Sequence, residues 1–285
     1  MRYEAPETLD AAVALLASAG EETKVLAGGT DLLVQLRTDL IAPTLVVDIK
    51  NIDETRIIIE TAGGFRVGAA VSGAELAEHA SLSSIWPGLV EAVSLIGSTQ
   101  IQGRASLGGN LCNGSPAADS VPAMIAAGAV ANVAGPNGRR EIPVEDVILA
   151  PRKLSLTPGE FVVSFQLPAR PARAADAYQR FIPRTEMDIA VVGAGVSLAR
   201  DEAGKITDAR VSLGAVASRP LLVIDAADAI IGTTLDAAAL TALDAACQAA
   251  CQPIDDKRGT IDFRTEVAGV LARRTAEIAY KRAGA

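Results

Sequence analysis

The chain has 285 residues, 49% of them hydrophobic but only 3% aromatic, with 26 basic against 34 acidic side chains for a net charge of −8. This hydrophobic fraction excludes disorder and implies an aliphatic core, and the length suggests two or three lobes rather than one. The acidic balance, without any basic run, excludes a general nucleic-acid binder, because nothing would neutralise a phosphate backbone.

Met1 to Pro6 lacks the basic-then-apolar order of a secretory leader, and no apolar run approaches membrane-spanning length. A cytoplasmic chain with no membrane span is expected. Leu9, Ala12, Val13, Leu15 and Leu16 repeat at helical spacing after Pro6-Glu7-Thr8, with Gly20 as the stop. Thr23 to Leu26 reads as a strand, Ala27-Gly28-Gly29-Thr30 as a break, Asp31 to Arg37 as a helix, and Leu45 to Ile49 as a buried strand. A new lobe begins near Asn51 to Thr61. Phe65 to Ala69 is strand-like, and Ser72 with Glu75 forms a capping box. Trp86 to Ile96 predicts a helix stopped by Gly97. Gly103 to Pro116 is so rich in Gly and Asn that a loop is expected, and Asp119-Ser120 before Pro122 starts another helix running to Ala127. Pro136-Asn137-Gly138 predicts a hairpin turn, and Phe161 to Leu167 a strand closing the lobe. Ile189 to Ala199 and Ile206 to Ala217 predict an antiparallel pair, and Thr265 to Arg282 a terminal helix.

Three cysteines, Cys112, Cys247 and Cys251, form no disulfide framework. With the single His79 they also fall short of the roughly four convergent ligands of a zinc or iron–sulfur centre. Cys247 and Cys251 read as one face of an Ala-rich helix, and His79 as a solvent-facing helix residue.

Two glycine-pair turns carry the chemistry: Leu26-Ala27-Gly28-Gly29-Thr30-Asp31-Leu32-Leu33 and Ser106-Leu107-Gly108-Gly109-Asn110. Each can present backbone N–H groups to a phosphate with no Cβ in the way, and the first leads into a helix N-terminus. Neither matches the G-x-x-x-x-G-K-S/T pattern of P-loop hydrolases or the Rossmann G-x-G-x-x-G, and no G-x-S-x-G elbow is present.

These turns, with Ile96 to Ile101, Ser115-Pro116-Ala117-Ala118-Asp119, Tyr178 to Arg184, Asp188 to Ala190, Phe263-Arg264 and Gly269 to Arg274, resemble the motifs of one family in order along the whole chain. The family is that of the FAD-binding medium subunits of molybdenum hydroxylases, the xanthine and carbon monoxide dehydrogenases. The resemblance implies an α+β fold. A two-lobed FAD-binding domain of the vanillyl-alcohol-oxidase (PCMH) type would span residues 1–55 and 56–175. An α+β C-terminal domain, residues 176–285, would follow with an antiparallel sheet and helices.

It further implies that Leu26 to Leu33 wrap the FAD pyrophosphate, that Ser106 to Asn110 supply a second backbone cradle, and that Asp119 hydrogen-bonds the adenosine ribose. Val162 would contact the cofactor, and Arg180, where the family usually has Lys, would meet its flavin end. Gln102-Gly103 replaces a common Arg-Asn, so one cation is missing or moved to Arg104. The loop Ala27 to Asp31 leans towards the heterocycle- or aryl-oxidising branches more than the carbon monoxide branch. No catalytic or metal-binding residue is expected in this chain. The expected partners are a large molybdopterin-binding subunit and a small subunit with 2Fe-2S clusters, arranged as a dimer of heterotrimers, with NAD⁺, a quinone or another acceptor. A self-sufficient FAD oxidase and a non-catalytic scaffold retaining the fold remain alternatives.

Overall fold

The computed structural model describes residues 1–18, 22–184 and 186–285. In the first lobe β1 (Arg2–Glu4) leads into α1 (Leu9–Ser18), whose Ala12 and Leu16 turn inward four residues apart. The expected stop at Gly20 lies outside the described residues. β2 (Thr23–Leu26), α2 (Leu32–Arg37) and β3 (Leu45–Asp48) follow. The strands form a parallel sheet in the order β1-β3-β2. All of β3 is buried, which accounts for the unbroken run Leu45-Val46-Val47.

The second lobe opens with β4 (Ile58–Thr61) and β5 (Gly64–Gly68). The helices α3 (Gly73–Glu78), α4 (Ala80–Ile85), α5 (Pro87–Val93), α6 (Thr99–Gln102), α7 (Leu107–Cys112) and α8 (Ser120–Ala126) come next. β6 (Val130–Gly135), β7 (Gly138–Pro143), the short pair β8 (Ile148–Ala150) and β9 (Lys153–Leu154), and β10 (Phe161–Pro168) complete it. The five-stranded antiparallel sheet runs β4-β5-β10-β6-β7, so the last strand in sequence lies at its centre. β10 serves two cores. Phe161 and Val163 pack with Leu45 and Val47 of the first lobe, while Val162, Phe165 and Leu167 pack with Phe65, Leu107 and Met124 of the second. A β-bulge between Val162 and Ser164 shifts the alternation, so that Phe165 and Leu167 face the second core while Phe161 and Val163 face the first, and one strand joins the two lobes.

The capping box forms as the sequence implies: the Glu75 N–H donates to Ser72 Oγ at 3.2 Å, and the Ser72 N–H to Glu75 Oε2 at 2.8 Å. Two expectations are corrected. Residues 103–116 are not all loop, because α7 crosses them. Ser106 Oγ caps its first turn, and Leu107 and Leu111, one turn apart and fully buried, anchor it. That burial outweighs a helix penalty of roughly 1 kcal/mol per glycine. His79 is not a solvent-facing helix residue either. It sits between α3 and α4, where its Nδ1 accepts from the Leu82 N–H at 3.2 Å and its ring meets Phe65 edge-on.

The third unit is an antiparallel sheet in chain order, β11 (Ala174–Phe181), β12 (Val192–Arg200), β13 (Ile206–Gly214) and β14 (Leu221–Leu222). α9 (Ile224–Asp228), α10 (Ala237–Ala250) and α11 (Ile261–Arg282) follow. α11 lies on β11 and β12 through Ala268, Ala272, Ala276 and Ala279, all fully buried. Arg264 clamps its start, donating to the Val191 and Ala215 carbonyls at 3.0 and 3.1 Å. Cys247 is buried and the Cys251 thiol donates to its carbonyl, the helix-face arrangement expected from their spacing. The architecture is the expected α+β one. No helix among the described residues is long and apolar enough to cross a membrane.

Candidate cofactor-binding site

A cavity of about 600 Å³ is walled by both glycine turns. Ala27, Gly28, Gly29, Thr30, Asp31 and Leu32 line it from the first lobe, and Ser106, Gly108, Gly109 and Asn110 from the second, with Val162 of β10. Leu26, Leu33 and Leu107 are not on the wall. Leu26 and Leu33 pack beneath Gly29, where a Cβ would meet their methyls at 2.8 and 3.3 Å, and Leu107 is fully buried.

The first turn has the geometry of an anion nest. Gly29 takes φ +84°, a backbone that favours glycine. Among the described residues the N–H groups of Gly29, Thr30 and Asp31 have no hydrogen-bond acceptor, and all three residues line the cavity. Donors left in this state ask for an acceptor. The turn is held from behind. Lys50 Nζ donates to the Ala27 carbonyl at 3.0 Å and to both oxygens of Asp48 at 2.7 and 2.8 Å. The Tyr3 hydroxyl donates to Asp48 at 2.6 Å. Burial pushes the Asp48 carboxyl up, but the Lys50 and Tyr3 bonds outweigh it and leave it below the usual carboxylate range. A Cβ on Gly28 would lie 1.7 Å from the Arg104 carbonyl oxygen, so this turn rests directly on the chain entering the second.

The second turn differs from the open cradle expected. The Gly108 N–H donates to the Ala69 carbonyl at 3.0 Å, the Gly109 N–H to Ser106 Oγ at 3.1 Å and the Asn110 N–H to the Ser106 carbonyl at 2.9 Å. Its amides are thus already engaged by a capped helical turn. What it offers the cavity is bare surface: a Cβ on Gly109 would meet only Ser106 Oγ at 3.2 Å and otherwise project into open space. Asn110 Oδ1 accepts from the N–H and hydroxyl of Ser120 at 3.1 and 2.7 Å, tying α7 to α8.

Asp119 and Arg180 do not line the cavity. They are buried and paired, Arg180 Nη1 to Asp119 Oδ2 at 2.7 Å, while the Tyr178 hydroxyl donates to Oδ1 at 3.0 Å. Asp119 makes no side-chain cap on α8. Burial raises its carboxyl to about 6 against the opposing pull of Arg180 and Tyr178. The carboxylate engages its own chain here through Arg180 and Tyr178. Arg104, the expected replacement cation, is exposed and off the cavity wall. Cys112 lines the cavity, and burial pushes its thiol up to about 12, so it is no thiolate nucleophile.

The cavity wall includes residues that sequence reasoning did not select: Thr23, Lys24, Gln35, Asn113, Arg152 and Glu160. Gln35 Nε2 donates to Asn113 Oδ1 at 3.1 Å, joining α2 to the end of α7. Glu160 is bound by Arg140 at 2.7 and 2.8 Å, which holds its carboxyl near 2. Nothing in the local pattern marked these positions, because the topology brings them together from separate elements. A site of this volume, with free amides beside aliphatic walls from Leu16, Val25 and Ile49, fits a diphosphate-bearing dinucleotide.

Residues 1–170 match the model for the FAD binding domain in molybdopterin dehydrogenase, and residues 177–279 that for the CO dehydrogenase flavoprotein C-terminal domain. The carbon monoxide dehydrogenase medium chain of Afipia carboxidovorans is 33% identical over 99% of this chain and 97% of its own. The xanthine dehydrogenase FAD-binding subunit of Escherichia coli O157:H7 is 30% identical over 99% and 97%. Overall identity therefore does not favour the heterocycle- or aryl-oxidising branches to which the first turn leaned over the carbon monoxide branch. Among solved structures, reconstituted CO dehydrogenase from Oligotropha carboxidovorans superposes with a TM-score of 0.95 at 32% identity, covering 99% of this chain and 98% of that one. The two glycine turns, the cavity between them and these likenesses over the full length agree: the chain belongs to the family of FAD-binding medium subunits of the molybdenum hydroxylases, and is an oxidoreductase subunit.

Proposed function

We propose that this chain is the FAD-carrying relay of a heteromeric molybdenum hydroxylase, taking electrons from 2Fe-2S clusters of a small partner subunit and passing them to NAD⁺ or another acceptor. A large molybdopterin-binding subunit would carry out the substrate chemistry, and the assembly would be a dimer of heterotrimers. The observation that carries the reading is the set of unengaged amides at Gly29, Thr30 and Asp31 on the wall of a cavity that Gly109 keeps open.

FAD, when bound, supplies electron exchange in single or paired steps. The chain's part is to bind and orient. Gly29, Thr30 and Asp31 would donate to the diphosphate, and Lys50 with Asp48 would keep that turn in shape. Gly109 would let the cofactor lie against α7, Gly108 would let that helix sit close on Ala69, and Val162 would give the cofactor apolar contact. Asp119 and Arg180 would act as a pair, their mutual bond shaping the region where α8 meets β11. Residues 1–55, 56–175 and 176–285 are proposed as the two cofactor-binding lobes and the C-terminal domain.

The test is to purify the chain and its native complex, denature each and identify any released flavin. FAD in equimolar amount, with a molybdopterin chain and a 2Fe-2S chain co-purifying, is the expected result. A colourless chain that cannot be reconstituted with FAD overturns the reading. Rapid bleaching of the isolated flavoprotein by a small organic donor would make it a self-sufficient oxidase instead.

A further inference from the structure

The turn between β8 and β9 holds Arg152 at φ +61°, in the left-handed region that side chains other than glycine rarely adopt. Its backbone is pinned there. The Arg152 N–H donates to the Gly114 carbonyl at 3.0 Å, and a Cβ on Gly114 would lie only 2.9 Å from the Arg152 Cα. Gly114 adjoins Asn113, which Gln35 of α2 holds by a hydrogen bond, so the turn is fixed relative to the first glycine turn. Arg152 is exposed, lines the cavity and has no acidic partner among the described residues. Strain kept at a cavity wall, where glycine would relieve it, suggests that the side chain is needed.

The charges on the wall narrow its use. Of the acidic residues there, Glu160 is neutralised by Arg140, while Asp31 has no ion-pair partner among the described residues. A diphosphate beside Asp31 would meet repulsion that the neutral amides of the first turn only partly offset. The cations on the wall are Lys24 and Arg152. A guanidinium matches two phosphate oxygens in one plane, and the strained turn limits where it can sit.

We infer that Arg152 is the cation that binds the diphosphate of the cofactor, a role that rests on the FAD reading above. The test uses the full chain stripped of flavin, in wild-type, Arg152→Gly, Arg152→Lys and Lys24→Met forms, titrated with FAD, ADP and riboflavin. Glycine suits the left-handed turn, so Arg152→Gly should unfold no more easily than wild type. It should bind FAD and ADP at least about tenfold more weakly and with a shallower salt dependence, while riboflavin binding stays unchanged. Arg152→Lys should recover part of the loss. FAD affinity within about twofold of wild type, equal losses for riboflavin and FAD, or a loss confined to Lys24→Met would each overturn the assignment. A wild-type chain that takes up no flavin overturns the FAD reading and this one with it, whereas a fully loaded Arg152→Gly chain overturns only the role of Arg152.

Discussion

Arg180 and Asp119 form an ion pair at 2.7 Å in which 4% and 10% of the side chains remain exposed. Desolvating two charges costs several kcal/mol per ion, and their attraction with the Tyr178 bond must offset it. Removing one partner is therefore worse than neutralising it in place. Asp119→Ala should lower the unfolding free energy by about 3 kcal/mol, because Arg180 would be left buried and unpaired. Asp119→Asn, which still accepts hydrogen bonds, should cost about 1 kcal/mol. Urea melts of the two variants check this, and equal costs would show that the charge of the carboxylate, not its capacity to accept hydrogen bonds, carries the interaction.

The same pair sets a pH signature. Asp119 has an ordinary value of 3.8 and rises to about 6 when buried. Between these values the folded chain binds more protons than the unfolded one, so this contribution to stability falls as pH rises. It is fully present below about pH 4 and lost above about pH 6. Wild type should therefore lose stability relative to Asp119→Asn across that window. A difference that is flat or of opposite slope would refute the buried titration.

Much of this was legible beforehand, for specific reasons. Thr23 to Leu26 and Leu45 to Asp48 are short aliphatic runs between breakers, and both became strands. The capping box at Ser72 is a purely local device, and it forms as its spacing implies. The first glycine turn was recognisable because a nest is made by consecutive residues. The α7 helix was not, since its anchor is the burial of Leu107 and Leu111 by distant strands, which local glycine content conceals. The partnership of Asp119 with Arg180 was hidden too: they lie 61 residues apart and meet only where β11 passes α8. Arg152 is conspicuous only through its backbone angle.

Two glycines should respond in opposite ways to the same added methyl. At Gly28 the new Cβ would collide with the Arg104 carbonyl at 1.7 Å, so Gly28→Ala must displace the first turn. A loss of about 1–3 kcal/mol in stability, together with loss of FAD, is expected. At Gly109 the methyl enters the cavity and replaces glycine in a helix, worth up to about 1 kcal/mol in favour of the folded chain. Gly109→Ala should keep the melting temperature of the flavin-free chain while weakening FAD binding, and Gly109→Val should abolish its retention. Undiminished flavin content in Gly109→Val would remove this turn from the site.

Lys50 supports the first turn from outside the cavity. Lys50→Met would leave the Asp48 carboxylate, itself only 7% exposed, without its cation and release the Ala27 carbonyl. A stability loss of about 2–3 kcal/mol is expected. FAD should dissociate faster while riboflavin binding changes little, because the residue shapes the diphosphate end. Equal effects on both ligands would show that Lys50 acts on the lobe as a whole.

The C-terminal sheet reaches the cofactor lobe through α8. A Cβ on Gly195 would lie 2.7 Å from the Pro122 carbonyl, and one on Gly214 2.7 Å from the Pro122 ring, so α8 lies flush on β12 and β13. Asn110 in turn binds Ser120 at the start of α8, which makes the helix the link between this sheet and the second glycine turn. Gly195→Val should wedge α8 outward, lowering stability by roughly 1–3 kcal/mol for the overpacking. Because the displaced helix pulls on Asn110, FAD release should quicken as well, although residue 195 is not on the cavity wall. A comparable packing defect away from α8, Leu243→Ala in the core beneath α10, should lower stability similarly and leave FAD release unchanged. If both variants release FAD at the wild-type rate, α8 transmits nothing and the two units are energetically separate.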